Sequence, residues 1–168
     1  DEFLSARRIQ EGTFLLKPVM LEIDAVATDA IREFSAQAEA KRIELSYSCQ
    51  PPDLQWKLDR LGFVRVLSNL LSNAIKFTAR GGKIQVEVAA APEQLCLAVT
   101  DNGSGMEPSE VQKIFERFSR LEKHSDTSGS GLGLFVVKSV VTAHGGKIEV
   151  ISKVGHGTTF SIYFPAVP

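Results

Sequence analysis

The chain has 168 residues, 43% of them hydrophobic, and its 19 basic side chains nearly balance 20 acidic ones. A chain of this length buries roughly two thirds of the surface its unfolded form exposes, so one compact domain is expected without disulfide or metal staples. Near-neutrality removes the global field that would draw nucleic acid or anionic lipid, so neither is an expected partner.

The remaining exclusions are local. Cys49 and Cys96 lie among strand-like residues, outside any C-x-x-C pair or histidine cluster, and read as small core hydrophobes in a reducing compartment. No apolar run approaches the ~20 residues of a membrane-spanning helix, and no basic-then-apolar leader is present. A soluble, cytoplasmic domain without direct membrane contact is therefore expected. The chain starts at Asp1-Glu2-Phe3 without a methionine, which suggests a piece of something longer, compatible with a membrane-anchored parent.

In chain order, residues 1–10 look like the tail of a helix, ended by Glu11-Gly12 and set apart by Pro18. This makes 1–17 a helix end and linker, and 18–168 the domain proper. Val19, Ile23, Val26, Ala27, Ala30, Ile31, Phe34 and Ala38 recur at three and four, predicting one amphipathic helix over 19–38. Strands are predicted at 43–49 and 54–58, parted by Pro51-Pro52, and Asp59 is placed to cap a helix reaching about Phe77. Residues 83–88 alternate cleanly and 95–100 form a more buried strand. A short helix near 109–118, a polar stretch over 121–130 and a helix over 132–143, ended by Gly145-Gly146, follow. Strands at 147–152 and 158–164 close the chain around Gly155-His156-Gly157. The sum is an α/β two-layer sandwich, a mixed sheet covered by helices on one face.

Three segments carry candidate chemistry. Asn69, Asn73 and Lys76 stand four and three apart on one helical stripe. They are either a solvated face or a magnesium and phosphate site, since amide oxygens ligate Mg²⁺ and an ammonium meets phosphate oxygens. Asp101-Asn102-Gly103-Ser104-Gly105 follows a buried strand directly. It is either a tight turn or a base-binding loop whose carboxylate accepts from the exocyclic amine of adenine and rejects the carbonyl of guanine. Ser128 to Leu134 opens a helix with three glycines, whose free N–H groups can converge on phosphate; it fits neither the P-loop nor the dinucleotide spacing.

Taken together and in order, these segments resemble the Bergerat-fold, or GHKL, ATPases and kinases, and within them the sensor histidine kinases. Asn69-Leu70-Leu71-Ser72-Asn73-Ala74-Ile75-Lys76-Phe77-Thr78 matches the N box and Asp101 to Gly105 the first glycine box. Phe115-Glu116-Arg117-Phe118 matches the F box, Gly129 to Leu134 the second glycine box, and Gly155-His156-Gly157-Thr158-Thr159-Phe160 the last. The resemblance implies a mixed, mostly antiparallel sheet of about five strands covered on one face by about three helices. It also implies ATP and Mg²⁺ as ligands.

Carried over by residue, the resemblance makes Asn73 the Mg²⁺ ligand and places Asn69 and Lys76 on the phosphate side. Asp101 becomes the adenine anchor, and Gly129, Gly131 and Gly133 hold the phosphates. Phe77, Gly103, Gly105, Met106, Phe118, Ser130, Leu132 and Thr158 complete the nucleotide pocket. Residues between Glu107 and Ser128 correspond to a lid hinged at Phe115 and Phe118. Arg120 is either a cation for the γ-phosphate or a surface arginine.

The same resemblance favours a kinase. Hydrolytic members carry a glutamate base four residues before the magnesium asparagine, where this chain has Asn69, and an amide cannot take a proton from water near neutral pH. Transfer to an imidazole needs positioning and charge stabilisation more than a base. His124, His144 and His156 all read as structural or solvated, so the acceptor histidine is expected outside this chain, on a dimerising hairpin whose last turns residues 1–10 resemble. The implied partners are that hairpin, in cis or across a dimer, and a response-regulator receiver domain; the fragment itself is expected to be monomeric and its parent a homodimer. A serine kinase of the anti-sigma type, a nucleotide-sensing module without transfer and a hydrolytic motor subunit stand as alternatives.

Overall fold

The structure, a computed structural model, describes residues 16–116 and 131–166. Seven strands and five helices are defined among them: β1 (Pro18–Glu22), α1 (Ile23–Arg32), α2 (Ser35–Ala40), β2 (Glu44–Gln50), β3 (Gln55–Asp59), α3 (Arg60–Phe77), β4 (Lys83–Ala91), β5 (Gln94–Asp101), α4 (Pro108–Val111), α5 (Gly133–Ala143), β6 (Lys147–Lys153) and β7 (Gly157–Pro165).

Five strands form one sheet in the order β2-β4-β5-β7-β6, and β1 pairs β3 in a separate two-stranded ribbon. Only the β2–β4 pairing is parallel within the sheet; the other three are antiparallel. Alternation sets the faces. Ile84, Val86 and Val88 of β4, Leu95, Leu97 and Val99 of β5, and Phe160, Ile162 and Phe164 of β7 are buried together with residues of α1, α3 and α5. The expected mixed, mostly antiparallel five-stranded sheet with helices on one face is what forms.

Helix α3 is the centre of the helical layer, packing on α1, α5 and β5. Phe63, Val66, Leu67, Leu70, Leu71 and Ala74 are buried along it at spacings of three and one. Each fully buried leucine contributes roughly 1.5–3 kcal/mol, enough to hold the opposite, polar stripe of the same helix at a fixed angle. Asp59 caps it as expected, its Oδ1 accepting from Gly62 N at 2.7 Å while Oδ2 accepts from Lys17 N at 2.9 Å.

Three expectations need correction. The single helix over 19–38 is instead strand β1, helix α1 and, after a bend at Glu33-Phe34, the short α2. Residues 18–22 are drawn into extended backbone by antiparallel pairing with β3, Leu21 opposite Trp56, and Ile23 N donates to Leu54 O at 2.9 Å. The short helix near 109–118 spans only Pro108–Val111 before turns, its start set by Glu110 Oε2 accepting from Glu107 N at 2.7 Å; positions 117 and 118 lie outside the described residues. Cys49 packs against the helix-side core, but Cys96 alternates with Leu95 and Leu97 and so belongs to the other sheet face, opposite Tyr163 and Ala89. Both thiols are free and half-buried, and burial pushes both up from the ordinary thiol value.

Candidate functional site

The N-box stripe lies on α3, with Asn69, Asn73 and Lys76 all half-buried at the margin of the core. Asn69 is fixed on both sides of its amide. Its Nδ2 donates to Arg65 O at 2.9 Å, and its Oδ1 abuts Gly133, the first residue of α5, where an added Cβ would stand 2.5 Å away. Lys76 Nζ sits 5.1 Å from the centroid of the Phe77 ring, a cation–π contact that steers the ammonium along the helix end.

Where α3 ends, the first glycine box begins to pack. Phe77 O accepts from Ser104 N at 3.2 Å, and a Cβ on Gly103 would collide with that same carbonyl and with Asp101 Oδ1. Only glycine lets the loop come this close to the helix. Gly105 takes φ +64° against the backbone of Lys153 and Val154, and Gly155 N donates to Ser104 O at 2.7 Å. Met106 N donates to Ser152 Oγ at 2.9 Å, and that hydroxyl lies 2.8 Å from Thr158 Oγ1. Three stretches distant in sequence, ending at 77, 106 and 158, are thus locked into one corner.

Asp101 lies at the floor of that corner, 9% exposed, at the end of β5 and opposite Thr158 of β7. Burial raises its carboxyl above the ordinary carboxylate value, and the backbone N–H groups of Gly103 and Thr158 offset part of that shift. A carboxylate has room for about four hydrogen bonds, so acceptor capacity remains for a ligand amine. The buried carboxylate and the glycine-lined approach to it fit an adenine. The half-buried amide of Asn73 fits a magnesium ligand, and the Asn69 amide and Lys76 ammonium on the same stripe fit the phosphate side.

In the second glycine box, Gly131 adopts φ +69° and Leu132 is buried, its carbonyl accepting from Val136 N at 2.9 Å as α5 begins. The structure therefore brings together Asn69 with Gly133, Phe77 with Gly103, and Asp101 with Thr158, and it places Gly105 and Met106 on the same interlocked loop. Phe118, Arg120, Gly129 and Ser130 lie outside the described residues, as do His124 and most of the lid. Phe115 packs edge-on against Phe160 with ring centroids 6.5 Å apart.

His144 is structural: Nδ1 lies 2.8 Å from Val140 O, and Nε2 accepts from Asp59 N at 3.3 Å. His156 is exposed in its turn. Sequence reasoning missed Ser152, whose hydroxyl ties the first and last glycine boxes; the available signal was a serine in the inward register of β6, after Ile148 and Val150. Among the described residues no helix is long and apolar enough to cross a membrane, and no histidine, cysteine, aspartate and glutamate side chains cluster as a metal site.

Residues 58–168 match the model of the family described as histidine kinase-, DNA gyrase B-, and HSP90-like ATPase. The chain is 34% identical over 168 residues to the sensor-like histidine kinase SenX3 of Mycobacterium bovis, covering 99% of this chain and 41% of that protein. The mycobacterial sensor histidine kinase MprB superposes with a TM-score of 0.74 at 31% identity, over 92% of this chain and 99% of that one. Full-length ShkA in complex with AMPPNP superposes with a TM-score of 0.88 at 26% identity, over 99% of this chain and 35% of that one. The chain spans less than half the length of the curated relatives it matches, from 14% to 41%.

Proposed function

This chain belongs to the histidine kinase-, DNA gyrase B- and HSP90-like ATPase family and is similar along 99% of its own length to a sensor histidine kinase, and we propose that it transfers the γ-phosphoryl group of Mg-ATP to a histidine outside these residues, for relay to a response-regulator aspartate. In this reading residues 18–168 are the catalytic domain and 1–17 the end of the hairpin that carries the acceptor, with the linker that follows it. The parent is a homodimer.

The observation that carries the reading is the convergence of α3 and α5 at Asn69 and Gly133, beside a corner floored by a buried carboxylate. Asp101 accepts the adenine amine. Lys76 and Asn69 face phosphate oxygens, and Asn73 would hold Mg²⁺, which would supply charge neutralisation on the phosphate side. The N–H groups at the start of α5 direct a partial positive charge at the same phosphates. Asn69 holds its amide against Arg65 O and offers no base to water, so the site orients the phosphoryl group for an incoming imidazole instead of hydrolysing it. Arg120 supplies a further cation towards the γ-phosphate.

The test is binding of a fluorescent ATP analogue, with and without Mg²⁺, competed by ATP and GTP. Displacement by ATP and not GTP is expected, followed by acid-labile, base-stable label on a supplied histidine hairpin incubated with γ-labelled ATP. Equal competition by GTP, or ATP consumed with no label on the hairpin, would refute the proposal.

A further inference from the structure

Lys41 lies outside every segment assigned to the site, in the turn between α2 and β2. Its half-buried side chain donates to three carbonyl oxygens at the end of α3: Ile75 at 2.7 Å, Lys76 at 3.2 Å and Thr78 at 3.1 Å. The C-cap bond of that helix runs from Thr78 N to Ala74 O, so the carbonyls of residues 75–78 point beyond the helix's own ladder. Three are taken by Lys41. The fourth, Phe77 O, is taken by Ser104 N of the first glycine box.

The backbone around Lys41 is itself anchored to the turn that follows α3. Lys41 O accepts from Gly81 N at 2.9 Å, Ala40 O accepts from the Arg80 guanidinium at 2.8 Å, and Glu44 N donates to Gly82 O at 2.9 Å. A solvated surface lysine has its ammonium in water; this one uses its donors on one helix terminus, where a cation also opposes the negative end of the helix dipole.

We propose that Lys41 is a positioning residue for the metal and phosphate stripe. Its ammonium grips the last turn of α3, which carries Lys76, with Asn73 one turn earlier, so loosening that turn misplaces the magnesium and phosphate contacts. The adenine end is held by bonds that Lys41 does not touch, from Gly103 N to Asp101 Oδ1 and from Met106 N to Ser152 Oγ, and keeps its geometry. This inference rests on the nucleotide-binding reading above and adds to it a residue that sets how strongly Mg²⁺ contributes to binding.

The test is calorimetric affinity of the 168-residue chain for Mg-ATP and for metal-free ADP in EDTA, in wild type, Lys41→Met and Lys41→Arg, with melting temperatures alongside. Lys41→Met is expected to weaken Mg-ATP about tenfold and metal-free ADP by less than about threefold, the pattern of a lost helix-end contact confined to the phosphate side. Lys41→Arg, which keeps charge and donors, is expected to recover most of the loss. Equal weakening with and without metal, or a folded Lys41→Met with unchanged Mg-ATP affinity, would overturn the role of Lys41. Should Lys41→Met not fold, Lys41→Gln, which keeps two N–H donors without charge, is read by the same two affinities. A wild-type chain that binds no Mg-ATP would refute the proposed function itself, and with it this role.

Discussion

The Oδ1 atom of Asn69 on α3 occupies the space that a side chain at position 133 on α5 would need, 2.5 Å from the Cβ that any residue but glycine would place there. Gly133→Ala therefore pushes on the Asn69 amide, assigned above to the phosphate side, and not on the core. The added Cβ meets the end of a half-buried side chain at the first residue of α5, so the melting temperature is expected to hold while transfer falls about tenfold or more, as a displacement of order 1 Å at a reacting centre can cost. Thermal melts and single-turnover phosphorylation of the hairpin, measured together, check this.

Asp101→Asn separates function from stability. The amide is isosteric but presents one acceptor where the carboxylate presents two, and loss of the adenine contact is expected to weaken ATP binding by roughly 10–100-fold, the range of a charged hydrogen bond. Because burial raises the carboxyl in the folded state, its favourable contribution is full below its unfolded pKa of about 3.9 and is lost as pH rises through the folded value. The variant, neutral throughout, lacks this loss, so its melting temperature relative to wild type is expected to rise between pH 4 and pH 7. A difference between the two that does not change with pH would contradict the assigned burial effect.

Gly105→Ala is expected to destabilise the domain, because its φ of +64° disfavours any Cβ and the added atom would strike the backbone of Lys153. The strain alone is of order 1–3 kcal/mol, and relief requires separating the first glycine box from the β6–β7 hairpin. Urea unfolding gives the loss. Nucleotide affinity should fall with it, since Asp101 and Met106 ride on the same loop.

His144→Leu is a control remote from the ligand. It removes the acceptor for Asp59 N, a buried donor at the start of α3, and should cost about 1–3 kcal/mol. Below the new melting point ATP affinity is expected to stay within about twofold, because the ring lies at the opposite end of α5 from the second glycine box and effects of distant sites add independently. A loss of binding at temperatures where the variant is folded would give His144 a role in the site.

The legible parts of this molecule were those written in local spacing. Asp59 as cap, Phe77 as helix end and the alternation of β4 and β5 each follow from neighbours within one element, as do the Asn69, Asn73 and Lys76 stripe and the glycines that permit close approach. The order of the five motifs carried the family, since each demands a particular residue for a local reason.

What only the tertiary structure decided was non-local. Val19 and Ile23 satisfy the helical period equally well as helix or as strand and cap, and Glu22 offers no side-chain cap bond to mark where α1 starts. Pairing with β3, more than thirty residues away, makes residues 18–22 extended. Cys96, Ser152 and Lys41 likewise depend on partners across the sheet or beyond a helix end. Periodicity records which side of an element is buried, but the identity of what buries it is a property of the closed chain, because hydrogen-bond partners such as Ser152 to Met106 and Lys41 to α3 exist only once distant segments meet.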